Sequence, residues 1–551
     1  MVVLLFLLPG DRSDESRVDD GEVREIFSRR VDDVLEEVEQ LRKQNEQLRK
    51  LLLENSKSIE QGLQEMEYTL NVQIPTPSRT EQAFEERMDQ LRRQERTIQA
   101  ALENLFFLYK DHVPTISNVS STQGQISAAD KKQNEAVEMF QYLLARTQQL
   151  TINDESRKQK LRNLTKMVET RLHNLQHPQE CEGRKKLICK LEKSCGFACQ
   201  IHHVIYCLIV AYATNRTMLL DDKTWRYSDD GWTSVFQPVS SCKISAHEAR
   251  SAKRWTGKAD VTSASVIHIP IVDVLEQQMP YLPQSIPADL ASDLISVHSY
   301  PPAWWIGQFA QYLMRPSDDL LLHLNAEEKR LVLANWRPLV GVHVRRTDKV
   351  PSEAAEHALS EYMTWVDHYF NVQRFNYPQL AYKPVYLATD DGPVIEEAYD
   401  KYSTNGYVMM ANEKIAASAR LDTRYNEKSL YGIITDIHIL SKTNYLVCTF
   451  SSQVCRLAYE LMQARSFEDK GMNFHSLDDI YYYGGQLGRE LTVVEAHSAQ
   501  RPAEIDLKEG DVVKYEANLQ NGYSIGRNAR TNRRGQFPSF KTIDKWRIVE
   551  F

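Results

Sequence analysis

Hydrophobic and polar positions fall into four regimes along the chain. A short apolar run from Val2 to Leu8 comes first. A seven-residue rhythm then sets in at Phe27, Val31, Val34, Val38, Leu41, Asn45, Leu48 and Leu52, with Glu, Arg, Lys and Gln filling the positions between. This heptad predicts a coiled coil, and Asn45 on its seam is the residue type that fixes register and oligomer state. Ile74-Pro-Thr-Pro-Ser78 breaks the pattern. A second helical run passes through Phe84, Met88, Leu91, Ile98, Leu102 and Leu105, and after a polar loop from Pro114 to Ser127 helices continue to Leu175, closed by Pro178. The first third therefore reads as an elongated helical stem that joins two copies of the chain.

From Cys181 to near Arg330 the pattern mixes short apolar runs, Val204 to Ala211 and Val266 to Ile271, with helices and aromatic-rich loops. Beyond Arg337, strand-like runs at 338–344, 385–388, 407–410 and 445–450 alternate with helical segments. That alternation predicts a parallel, doubly wound sheet. The end changes again: 504–513, 521–524 and 535–539 read as short strands between turns, in a spacing that resembles an SH3 barrel.

Composition adds limits. With 42% hydrophobic and 26% charged residues, the 551-residue chain has ordinary globular usage. A net charge of −8 argues against a nucleic-acid binder, which needs a basic face. Six of the eight cysteines lie between Cys181 and Cys242, and the others are Cys448 and Cys455. An even, clustered set points to disulfides in an oxidising compartment. Zinc is the other use of such a cluster, but no CxxC pair or HxxxH partner accompanies Cys195 and Cys199. Sequons at Asn118, Asn163 and Asn215 fit a lumenal chain. The run from Val2 to Leu8 is far short of the roughly 20 residues that span a bilayer and lacks the flanks of a signal peptide. We read residues 1–10 as the remnant of a membrane anchor.

Chemistry concentrates where strands end, the ligand edge of open α/β sheets. Arg345 and Arg346 leave the strand in GVHVRRTDKV; a guanidinium fork there suits a diphosphate, or else pairs with Asp348. Asp390 and Asp391 follow the next strand and could hold a metal or a sugar hydroxyl, or cap a helix. Thr449-Phe-Ser-Ser-Gln-Val-Cys-Arg456 ends a strand and starts a helix, which is a phosphate site or an ordinary serine cap.

GVHVRRTDKV, YLATDD and CTFSSQVCR resemble the three short motifs shared by α-1,6-, α-1,2- and protein O-fucosyltransferases. KSCGFACQIHHVIYC, TWRYSDDGW and NFHSLDDIYYYGGQ resemble the core α-1,6-fucosyltransferase family in particular, as does the order helical stem, catalytic part, SH3. The resemblance implies a GT-B-like α/β catalytic part with a Rossmann-type sheet, built from 179–335 and 336–486, between a stem at 11–178 and an SH3-like barrel at 487–551. It implies GDP-fucose as donor, an N-glycan as acceptor, inversion and no metal or other cofactor, in keeping with the absence of any Asp-x-Asp. Arg345 should bind the β-phosphate with Arg346 beside it. His343 and Asp436 should contact the guanine, and Tyr227, Ser452 and Gln453 should line the nucleotide. Lys193, Gly196 and Phe197 should close over it, and Asp390 and Asp391 should hold the loop. Glu353, assisted by Lys349 and near Asp348, is the expected base, while Asp478, Asp479 and Tyr482 should grip the acceptor. The family pattern also implies the pairs Cys181–Cys242, Cys189–Cys207, Cys195–Cys199 and Cys448–Cys455, a homodimer, and a single-pass type II Golgi membrane protein with its catalytic part in the lumen. Two departures stand out: Pro351 precedes Ser352-Glu353, and Leu519-Gln520 replaces the family's His-Trp in the SH3-like part.

Overall fold

The computed structural model describes residues 79–110, 128–257, 263–270, 277–347, 354–420, 422–484 and 488–551. The heptad at 27–52, residues 1–10, the Asn118 sequon, and Asp348, Lys349, Pro351 and Glu353 lie outside the described residues. Among the described residues three long helices come first: α1 (Arg79–Lys110), α2 (Ala128–Ile152) and α3 (Glu155–Gln176). Helix α3 starts where the Asp154 side chain accepts the Arg157 N–H at 2.8 Å, filling one vacant helix-start donor.

Helix α1 is present as the periodicity predicts, but most of its apolar stripe faces outward, with only Leu102 of it buried. Leu91 and Ile98 are 49% and 53% exposed, whereas Arg92, Glu95 and Gln99 are buried. The buried charges are paired. Arg92 Nε meets Asp154 at 2.8 Å, Arg157 meets Glu95 at 2.8 Å, and Arg96 donates to the carbonyls of Ile295 and Ser296. An ion leaves water at tolerable cost only with such partners, so paired charges turned this helix against its hydrophobic pattern.

The first sheet holds β1 (Lys186–Lys190), β2 (Thr217–Asp221), β3 (Lys253–Arg254) and β4 (Val266–Ile269) in the order β2-β1-β4-β3, all parallel. The apolar run at 204–211 belongs to the crossover helix α4 (Phe197–Ala213), which is buried on nearly every side. A helix apolar all round is an interior one. Short strand β5 (Ser285–Pro287) and helix α5 (Pro301–Leu313) follow.

The second sheet contains β6 (Val340–Val344), β7 (Lys383–Thr389), β8 (Tyr407–Ala411), β9 (Tyr445–Cys448) and β10 (Phe474–Ser476) in the order β10-β9-β6-β7-β8, again all parallel. Every residue of β6 is buried, as expected of a strand covered on both faces. On one face Val340, Val342 and Val344 pack with α6 (Leu359–Gln373) and α7 (Gly392–Tyr402). On the other, Tyr386 and Ala388 pack with α8 (Glu427–Leu440) and α9 (Gln453–Arg465). This second sheet is the parallel sheet with flanking helices expected beyond Arg337.

Five antiparallel strands end the chain: β11 (Glu490–Val493), β12 (Val512–Asn518), β13 (Tyr523–Asn528), β14 (Arg534–Pro538) and β15 (Thr542–Lys545), in the order β14-β13-β12-β11-β15. The strand expected at 504–513 starts only at Val512. Glu504 is tied to His497 and Arg501, and Gly510 turns the chain with φ at +80°. The final segment leaves this sheet. β16 (Arg547–Val549) pairs in parallel with β5, and the Phe551 ring lies 5.6 Å from Trp305 and 5.9 Å from Tyr212. A boundary at 487 therefore does not isolate a self-contained unit.

All four cysteine pairs implied by the family pattern are formed. Among the described residues no helix is long and apolar enough to cross a membrane. Helices α5 and α9 cross so closely at Gly307 that an added Cβ would lie 2.2 Å from the Glu460 carbonyl oxygen. Gly307→Ala should therefore cost about 1–3 kcal/mol, as overpacking does, and lower the thermal midpoint in differential scanning fluorimetry. An unchanged midpoint would show that the two helices part freely.

Candidate active site

Strands β9, β6 and β7 are neighbours, and the three chemistry-bearing segments leave their carboxyl ends side by side. Arg345 and Arg346 follow β6, Asp390 and Asp391 follow β7, and Ser451 and Ser452 connect β9 to α9. Asp390 organises the first two. Its buried carboxylate accepts from Arg345 Nη1 and Thr347 Oγ1, and from the Arg346 backbone N–H at 2.9 Å. Arg346 reaches the His357 carbonyl at 3.3 Å and lies 3.6 Å from Asp391. The next strand's Asp390 is thus a partner of Arg345. Asp478, expected on the acceptor, braces the third segment: it accepts from Ser451 Oγ, and from Ser476 Oγ at 3.1 Å.

Between these loops and the start of α4 lies a cavity of about 540 Å³. Two helices point their first turns into it, α4 from Gly196 and α9 from Ser452, and neither cap residue closes its helix with a side-chain bond. Free N–H groups at a helix start carry partial positive charge and attract anions. The Cys195–Cys199 disulfide shapes the α4 turn, and the Gln200 side chain holds the carbonyls of Lys193 and Cys195 at 2.9 and 3.0 Å. The Tyr227 hydroxyl accepts the Phe197 N–H at 2.9 Å. Burial pushes that hydroxyl up to about 12, with the Phe197 bond acting the other way. Tyr425 lies 5.2 Å from the Tyr227 ring and extends the aromatic wall.

Among the described residues the lining includes Arg345, Arg424 and Arg456 and no carboxylate. Arg456 donates to the Tyr482 carbonyl at 3.0 Å and stacks 4.0 Å from that ring, which also lines the cavity. Gly196, Phe197, Tyr227, Arg345, Ser452 and Gln453, expected on the donor, and Tyr482, expected on the acceptor, all line this one cavity. The pattern gives no role to Arg424, Arg456 or Tyr425. Arg456 belongs to a recognisable motif and could have been found there, whereas Arg424 lies in a loop with no pattern.

Other expected residues stand apart from the lining. Lys193 is one residue beyond it, and Asp479 is exposed. His343 is buried on β6, and Asp436 is buried on α8 accepting the Tyr386 hydroxyl at 2.7 Å. Gln520, at the family's histidine segment, spans the gap between the terminal sheet and β10. Its Nε2 donates to the Ser476 carbonyl at 2.5 Å and its Oε1 lies 3.2 Å from His475 Nε2. Among the described residues Cys189, His203 and Cys207 are close enough to hold an ion, but the two sulfurs are joined to each other.

A family model described as alpha-(1,6)-fucosyltransferase N- and catalytic domains matches residues 1–482. The chain belongs to the alpha-(1,6)-fucosyltransferase family. It is 47% identical over 392 residues to the alpha-(1,6)-fucosyltransferase of Drosophila melanogaster, covering 71% of this chain and 61% of that one. With the Caenorhabditis elegans alpha-(1,6)-fucosyltransferase it shares 44% over 411 residues, 74% of this chain and 72% of that one. Among solved structures, POFUT1 in complex with GDP-fucose aligns at 13% identity and a TM-score of 0.32, over 52% of this chain and 96% of that one. The fucosyltransferase NodZ from Bradyrhizobium aligns at 12% identity and a TM-score of 0.27, over 50% and 91%. Structural similarity of that size carries nothing about the site.

In this family member, burial pushes the Asp436 carboxyl up to about 7, against the Tyr386 bond that favours the charged form. A folded-state pKa above the unfolded value means that the native state binds the extra proton, so stability falls as pH rises from about 4 to about 7 and levels off above. The slope from one such group is at most about 1.4 kcal/mol per pH unit. Asp436→Asn should lose this component. Its thermal midpoint should gain on the parent protein's from pH 5 to pH 7, and a constant difference across that range would remove Asp436 as the titrating group.

Proposed function

We propose that the protein is an inverting, metal-independent glycosyltransferase that moves L-fucose from GDP-β-L-fucose to the 6-hydroxyl of the innermost, Asn-linked GlcNAc of N-glycans. The observation that carries this reading is a cavity lined by three arginines and the starts of two helices, set at the carboxyl edge of a parallel sheet. Such a site favours a diphosphate over a neutral or cationic ligand. Transfer breaks the bond between the fucose anomeric carbon and the β-phosphate oxygen, and negative charge grows on the departing GDP. Arg345 and the α9 helix start stabilise that charge without a metal. The acceptor O6 attacks from the opposite face, which inverts the anomeric centre, and its proton passes to Glu353, with Lys349 assisting. Tyr227 flanks the nucleotide, and Asp390 keeps Arg345 aimed.

The two parallel sheets support a GT-B-like catalytic part, and the five antiparallel strands support an SH3-like barrel. Four disulfides suit an oxidising lumen, in keeping with a Golgi membrane protein of type II. A homodimer through the stem accounts for exposed apolar residues on α1 and α2, Leu91 and Ile98 on one and Met139 and Leu150 on the other.

The test is turnover of GDP-fucose with a biantennary glycan ending in GlcNAc. Arg345→Ala should cut the rate by about 100- to 1000-fold, as losing an oxyanion donor does. Glu353→Gln should retain donor affinity by calorimetry yet lose about 100- to 10,000-fold in rate. Near-normal turnover in either folded variant would overturn the role given to that residue. The stem is tested separately by Leu91→Glu with Ile98→Glu, which leaves the buried ion pairs of α1 intact. Light scattering should show a shift toward monomer, and unchanged mass would move the association elsewhere.

A further inference from the structure

Below the cavity floor, the two helices that open into it are joined by a buried polar chain. His202, on α4, stands between two residues of α9. Its Nδ1 is 2.8 Å from Gln453 Oε1, and its Nε2 is 3.0 and 3.2 Å from the two carboxylate oxygens of Glu460. Glu460 is fully buried and also accepts the Tyr481 hydroxyl at 2.6 Å. The Tyr483 hydroxyl donates to the His202 carbonyl, and its ring meets the imidazole edge-on at 5.3 Å. Gln453 is the first residue of α9 and lines the cavity, whereas His202 and Glu460 do not.

The chemistry of the chain has a direction. A carboxylate can only accept, so Nε2 carries a hydrogen toward Glu460; the amide oxygen of Gln453 facing Nδ1 then requires a ring that donates from both nitrogens, an imidazolium paired with the Glu460 carboxylate. An amide whose oxygen is engaged behind it has only its NH₂ left to offer. Ordering a flexible glutamine costs side-chain entropy, and a bond made before the ligand arrives removes that cost from binding. A buried carboxylate is also expensive unless partnered, which makes Glu460 a firm anchor for the ring and the ring a firm anchor for the amide.

We propose that His202, held by Glu460, is a positioning residue that fixes the Gln453 amide so that its NH₂ donates to a diphosphate oxygen of the nucleotide. This rests on the donor reading of the cavity given above. His202 does not touch the nucleotide; it acts through Gln453.

A double-variant cycle on the full chain tests this, with GDP as the probe in calorimetry and thermal midpoints as the control for folding. One hydrogen bond to a charged group corresponds to about 10- to 100-fold in affinity. Gln453→Ala and His202→Asn should each weaken GDP by about that factor. The combined variant should be no weaker than Gln453→Ala alone, because both remove the same bond. The donor KM should rise with the affinity loss while the glycan KM stays put. Independent losses that multiply in the combined variant would overturn the proposal, as would normal GDP affinity in folded His202→Asn. Should His202→Asn fail to fold, Glu460→Gln keeps the side-chain volume and enters the same cycle, where a shared loss supports the proposal and a multiplied loss overturns it. If the unaltered protein binds no GDP, the donor reading fails; if it binds and the cycle is additive, only the role of His202 fails.

Discussion

The buried Asp390 carboxylate settles where the arginines leaving β6 can go. It takes one bond from the Arg345 side chain, one from Thr347 and one from the Arg346 backbone, so strand β7 dictates the conformation of the loop after β6. A carboxylate at the end of a covered strand needs donors, and arginines at the end of its neighbour need an acceptor. Each solves the other's desolvation problem, and the result is a rigid cationic edge. Asp478 repeats the device one strand over, holding Ser451 at the start of α9. Arg345 thus lines the cavity while the anion that pairs with it, Asp390, stands outside the lining.

This arrangement explains which parts of the site were legible in sequence. Apolar runs that stop abruptly at Arg345, Asp390 and Thr449 mark covered parallel strands, and the carboxyl edge of such a sheet is a fixed address for ligands. The three segments could therefore be placed together without coordinates. Arg424 could not, because it reaches the cavity from a loop whose course depends on tertiary packing. Asp436 and His343 carry a feature the sequence does not announce. Both sit at recognisable positions, yet the folded chain buries them beneath the sheet edge.

The stem shows why periodicity predicts a helix better than it predicts a face. The spacing of Leu91, Ile98, Leu102 and Leu105 does form α1, but the side turned inward carries Arg92, Glu95 and Gln99 with only Leu102 of that set. Their partners, Asp154 and Arg157, are distant in sequence, so nothing local announced the pairing. Likewise the strands near Tyr523 and Gly535 were readable from turn residues, while the pairing of β16 with β5 was not, since parallel pairing across such a separation leaves no local mark.

That last pairing bears on how the protein is made. The aromatic cluster around Trp305 and Tyr212 receives Phe551, so the first α/β part cannot finish its core until the segment beyond the terminal sheet has been synthesised. Contacts of such long sequence separation form late and slowly. A nascent chain extended only through the second parallel sheet would keep an uncovered aromatic slot, a surface suited to chaperone capture until β16 arrives.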